Sequence, residues 1–147
     1  MIPRLPTDFL FAAGSFFERE RGVPLDFHDE EIIRNAGIQF ATADELAERL
    51  WAALEEGLSE DCRSTAYWAL GKRCRKEAKG KWVAALKIEV RRSASAVYQI
   101  MIALDNIGES VFSPDRSGYS MNEEAQNLAD AEQYLAANVG ISDAHES

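Results

Sequence analysis

The sequence predicts an all-α fold: one domain over residues 1–147, with about six helices paired as antiparallel hairpins in a short solenoid. Three observations lead there. From residue 43 onward, apolar residues recur at spacings of three and four, the helical period, with no sustained alternation of the kind a strand shows. Helix-start signals punctuate the pattern, with Thr42-Ala-Asp-Glu45 and Ser120-Met-Asn-Glu123 each reading as a capping box. Finally, Ala-Leu recurs in matching settings: Ala53-Leu54 answers Ala85-Leu86 at an offset of 32, and Ala69-Leu70 answers Ala103-Leu104 at an offset of 34. A period in the low thirties built from two helices marks an α-solenoid, whose hairpins bury their apolar faces by stacking.

In chain order, Thr7 or Asp8 can cap a first helix bearing Phe9, Ala13, Phe16 and Phe17. Aromatic residues also suit strands, so an extended DFLFAAGSFF is the alternative. The five phenylalanines up to Phe27 are expected in the core or capping the first helical pair. A short helix over about 28–36 carries Ile32, Ile33 and Ala36 and stops at Gly37. The third, about 43–57, repeats Leu46, Leu50, Leu54 and Leu58 beside Ala43 and Ala47, and Gly57 ends it in a left-handed conformation. Ser59 and Asp61 can cap a helix from about 60, with Cys62, Ala66, Ala69 and Leu70 on one face. Lys72, Arg73, Arg75 and Lys76 then suit the negative end of that helix. A helix over about 77–91 shows Trp82, Val83, Leu86 and Val90, and one over about 93–108 shows Val97, Ile100, Met101, Leu104 and Ile107. Pro114 and Gly118 break the pattern before a last helix from Ser120 to about 138, with a frayed end after Val139.

Composition limits the function classes. Apolar residues make up 46% and charged residues 28%, as in ordinary water-soluble proteins. No apolar run reaches the 18 or so residues of a membrane span, and Pro3, Pro6 and Asp8 interrupt the N-terminus where a signal peptide would be apolar. A cytoplasmic protein without membrane partners is the expectation. Cys62 and Cys74, if on or beside one helix, stand roughly 18 Å apart, beyond the reach of a disulfide, and read as packing residues. The net charge of -9 is blocked: residues 1–62 carry 14 acids against 5 bases, 63–92 carry 2 against 10, and 93–147 carry 9 against 1. That balance favours a cationic partner and disfavours nonspecific DNA binding.

The stretch Ser59-Glu-Asp-Cys-Arg63-Ser-Thr-Ala-Tyr-Trp-Ala-Leu-Gly-Lys72 resembles the first helix of a HEAT-like repeat. In that family an acidic turn precedes an Arg, and small residues with Ala-Leu-Gly permit close helix packing. The resemblance covers about 42–110 and weakens in the second copy, where Asp105 replaces the Gly and no Arg answers Arg63. An antiparallel bundle is the alternative architecture. In size, charge and architecture the chain is also similar to bacterial immunity proteins, which neutralise a toxin made by the same cell. That likeness implies no particular contact residue.

Enzyme signatures are missing: there is no glycine-rich phosphate loop, GxSxG, HExxH or CxxC. Glu55-Glu56 and Glu123-Glu124 are adjacent pairs that diverge on a helix surface, and His28, amid Asp26, Asp29, Glu30 and Glu31, reads as a helix-start residue. With only His28 and His145 and no Cys/His cluster, neither a metal site nor a cofactor is expected. The expected function is non-enzymatic: a protein-interaction module, most specifically an immunity protein that occludes the active surface of a basic toxin domain. Its expected contacts are Asp26, Asp29, Glu30, Glu31, Glu55, Glu56, Glu60, Asp61, Asp115 and Tyr119. The second reading is a HEAT-like nucleic-acid-associated protein using Lys72, Arg73, Arg75, Lys76, Lys79 and Lys81, with Trp82 as a stacking aromatic. A third is a phage-borne acidic inhibitor that imitates nucleic acid.

Overall fold

A computed structural model describes residues 7–146, and every regular element among them is helical. Seven α-helices follow in order: α1 Thr7–Glu20, α2 Phe27–Asn35, α3 Ala43–Glu56, α4 Glu60–Gly71, α5 Lys79–Glu89, α6 Ala94–Asn106 and α7 Glu124–Glu146. A 3-10 turn, Lys76–Ala78, precedes α5. The chain divides into two compact units, Met1–Cys74 and Arg75–Ser147. Pro3 and Pro6, which bear on a signal peptide, lie outside the described residues.

In the first unit α1 is the hub, lying against α2, α3 and α4. The DFLFAAGSFF stretch is helix, and Phe9, Leu10, Ala13, Phe16 and Phe17 are buried along it. Helical spacing wins over β-propensity here because it gathers these residues on a side that other helices cover. Helix α1 packs tightly on α4 at Gly14, where a Cβ would fall within 2.8 Å of Trp68 Cη2. The capping box at α3 forms, with Thr42 Oγ1 accepting from Glu45 N at 3.1 Å and Glu45 Oε2 accepting from Thr42 N at 3.5 Å. Gly57 ends α3 at φ 116 and ψ 118, a positive φ open to glycine yet outside the left-handed helical region expected. Ser59, not Asp61, caps α4 through Cys62 N. The Arg63 side chain turns inward and donates to the Leu58 carbonyl at 3.0 Å, so an arginine is part of this core. Both cysteines are free thiols and half-buried.

In the second unit α6 packs against α5 and α7, which also touch each other. Val97, Ile100, Met101, Leu104 and Ile107 are all buried as their spacing predicts. Trp82 and Leu86 are buried on α5, whereas Val83 and Val90 are half-buried and Ala85 and Glu89 take the inner positions. Ser120 does not open the last helix. Its hydroxyl accepts from Asn122 N at 3.2 Å in a turn, and α7 starts only at Glu124. Glu123 is drawn to Arg116, at 3.1 Å, which leaves it unable to close the capping box. Helix α7 continues to Glu146, past the end expected near 138.

Candidate partner-binding surfaces

Two helices build a cleft of about 620 Å³ in the first unit. Helix α1 supplies Asp8, Phe9 and Phe11; α2 supplies His28, Ile32 and Asn35, with Ala36 just beyond its end. On α2, positions 28, 32 and 35 recur at helical spacing, so they form one stripe, and Glu31 lies one turn from both 28 and 35. The ion pair of Arg19 with Glu30, at 3.2 Å, ties the two helices together. Asp26 caps α2, its carboxylate accepting from Asp29 N at 2.8 Å.

Of the five phenylalanines expected in the core or capping the first helical pair, three are buried and two are exposed. Phe11 is 46% exposed and Phe27 74%, while Phe9, Phe16 and Phe17 are buried. Phe40, after α2, is 93% exposed. The sequence hides this because each of Phe11 and Phe27 satisfies an apolar pattern; tertiary packing leaves Phe11 only partly covered, edge-to-face on Trp68 with ring centroids 5.6 Å apart, and Phe27 mostly open.

The predicted contact residues fall in three places. Asp26, Asp29, Glu30 and Glu31 open α2, where Asp26 and Glu30 already serve the cap and the α1 link. Glu55, Glu56, Glu60 and Asp61 are exposed and brought together by the turn from α3 to α4. Asp115 and Tyr119 belong to the second unit, in the segment before α7.

That segment is pinned by a residue the sequence reading did not single out. Arg116 donates to Asn127 Oδ1 at 2.8 Å, Asp130 Oδ2 at 3.0 Å and Glu123 Oε1 at 3.1 Å. Its side chain is 8% exposed and that of Asp130 4%. Asp130 also accepts from Ser113 N and from Gln126 Nε2. Burial by itself would raise the Asp130 carboxyl, but these hydrogen bonds and the adjacent guanidinium hold it below the ordinary carboxylate range. Burial likewise works against the charge on Arg116, and its carboxylate partners outweigh that and raise its pKa. Tyr119 stacks on Phe112 with ring centroids 3.8 Å apart, and Arg116 lies 5.4 Å from the Phe112 centroid. Arg116 is the lone base of residues 93–147, a signal that could have marked it.

Nearby, Tyr134 donates to Glu109 Oε1 at 2.7 Å, and Lys79 pairs with the same oxygen at 3.0 Å. The Tyr134 bond, with help from Lys79 and against burial, lowers the Glu109 carboxyl. Burial, then that same carboxylate, raises the Tyr134 hydroxyl.

The basic segment is dispersed among structural tasks. Lys72 lies over Trp68 and 3.8 Å from Glu18, and Arg73 pairs with Asp44 at 2.7 Å. Lys79 holds Glu109, and Trp82 is buried, where it cannot stack on a base. Arg75, Lys76 and Lys81 are exposed. The segment also crosses the division between the units, since Lys72 and Arg73 belong to the first and Arg75 onward to the second.

Among the described residues no group of three or more His, Cys, Asp or Glu is placed to hold a metal, and no helix is long and apolar enough to cross a membrane. No protein-family model matches the chain, nor does any curated protein or solved structure.

Proposed function

We propose that the chain is a non-enzymatic protein-interaction module whose first unit binds a basic partner protein. The observation that carries this reading is the exposure of Phe11, Phe27 and Phe40 in a unit whose sequence holds 14 acids against 8 bases. Covering a fully exposed ring is worth about 1.5–3 kcal/mol, so a partner gains most from Phe40 and Phe27 and less from the half-open Phe11. Carboxylates around them steer a cationic surface into place and make association salt-sensitive.

Within this reading the most specific role is that of a cytoplasmic bacterial immunity protein, occluding the phosphate- or substrate-binding surface of a basic toxin domain. A short HEAT-like solenoid of antiparallel helical hairpins is the architecture we propose for it. Burial of Ala69-Leu70, Ala85-Leu86 and Ala103-Leu104 supports it, while Leu54, which answers Leu86 in the repeat, is half-buried. The test is capture of the partner from the source cell with the chain as bait, followed by coexpression. A captured protein that arrests growth alone and is silenced by the chain supports the role; a partner without toxicity, or toxicity that persists, removes it.

A further inference from the structure

The α1–α2 cleft combines three properties. It is concave, and its volume of about 620 Å³ lies within the range of 300–1,000 Å³ typical of ligand clefts. Its walls are apolar, from Phe9, Phe11, Ile32 and Ala36, and Phe11 is half-open to solvent. Its polar lining is Asp8, His28 and Asn35, so the fixed charge lining it is negative, and Glu31 extends that charge along the α2 stripe.

We infer that this cleft is the seat of an amphipathic helix of a partner protein, with apolar residues on one face and Lys or Arg beside them. The inference rests on the proposed binding of a basic partner and names where and how that partner docks. Three arguments select the occupant. First, helices account for all regular structure among the described residues, so no sheet edge offers backbone pairing to an extended peptide. A trough between two helices is filled by the side chains of a third, at spacings of three, four and seven. Second, charge complementarity requires cations: Asp8 stands in the first turn of α1, and Glu31 is exposed beside His28 and Asn35. Third, α2 is short, and Ile33 is its one fully buried apolar anchor. Its stripe at 28, 31, 32 and 35 therefore remains open for an incoming helix to cover.

The experiment uses the full chain and a labelled 18-residue peptide of Leu and Lys, with Leu at helical spacing, followed by fluorescence anisotropy. Its counterpart with Glu in place of Lys is the control. Asn35→Trp plugs the cleft from an exposed position, so folding is spared, and Glu31→Lys reverses a rim charge at another exposed site. The Leu/Lys peptide is expected to bind, about tenfold more weakly to Asn35→Trp and about two- to fivefold more weakly to Glu31→Lys. Equal binding of the two peptides, or binding indifferent to Asn35→Trp, overturns the cleft as the seat. If the Leu/Lys peptide is instead lost on reversing Glu55, Glu56, Glu60 and Asp61, the cleft inference fails while the basic-partner reading stands. If no cationic probe binds at low salt, both fall. A dimer that dissociates on Asn35→Trp makes a second copy the occupant and also overturns the inference.

Discussion

Removing Asp130 tests the Arg116 hydrogen-bond network of the second unit. The Arg116–Asp130 pair is 3.0 Å long with side chains 8% and 4% exposed, so solvent screens it little. Asp130→Ala deletes the acceptor for three donors: Arg116 Nη1, the Ser113 amide and Gln126 Nε2. Arg116 keeps Glu123 and Asn127, but Glu123 is half-exposed and Asn127 is neutral, so the buried cation loses its closest buried counter-charge. Breaking a buried pair from one side costs about 3–5 kcal/mol, a large part of the 5–15 kcal/mol typical of a small protein. Trp82, buried in the second unit, reports its unfolding once Trp51 and Trp68 are replaced by Phe. Urea titration of Asp130→Ala in that background is expected to lose about 3–5 kcal/mol. Replacing both partners, as Arg116→Met with Asp130→Leu, is expected to recover much of that loss, because no charge then stays buried without a partner. The pH profile supplies a second readout. The folded pKa of Asp130 lies below its unfolded value of about 3.9, so its contribution is present above that value and lost as pH falls through the folded one. Asp130→Asn should remove this part of the acid lability. A loss below about 1 kcal/mol in Asp130→Ala would refute the assignment, since that is the scale of an exposed pair.

Gly14→Ala should destabilise the first unit. Alanine gains up to about 1 kcal/mol in helix propensity, but its Cβ meets the Trp68 ring, and overpacking costs about 1–3 kcal/mol. Thermal melting should show a net loss of up to about 2 kcal/mol that Trp68→Leu relieves; stabilisation by Gly14→Ala alone would mean that α1 and α4 are not in close contact. Tyr134→Phe should flatten the alkaline end of the stability profile. The folded hydroxyl titrates above its unfolded value of about 10, so its contribution is complete below pH 10 and declines as pH rises towards the folded value. An unchanged alkaline slope in the phenylalanine variant would exclude the Tyr134–Glu109 bond as its source.

Local chemistry was legible in the sequence, as the α3 capping box and the Ser59 cap show, because those bonds span only three residues. The apolar stripe of α6 was legible for the same reason: burial there follows the helical period without exception. Ser120 shows where local rules stop. The sequence offers a capping box, yet Glu123 is closer to a buried guanidinium that lies seven residues away, and the charged partner wins over the backbone amide. The acids of the candidate surface were legible as a charge block, while the cleft beside them was not, since a cavity belongs to two helices and no single segment encodes it.

Helical character, most helix starts and the partition of charge into acidic and basic blocks are written in the sequence, because period, caps and composition are properties of neighbouring residues. Exposure of Phe11 and Phe27, burial of Trp82, Arg63 and the Arg116 side chain, and the ion pairs of Lys72, Arg73 and Lys79 are set by tertiary packing. Each of those outcomes depends on which distant element covers a side chain. Burial is a relation between segments, and a helical period states which face is apolar without stating what lies against it.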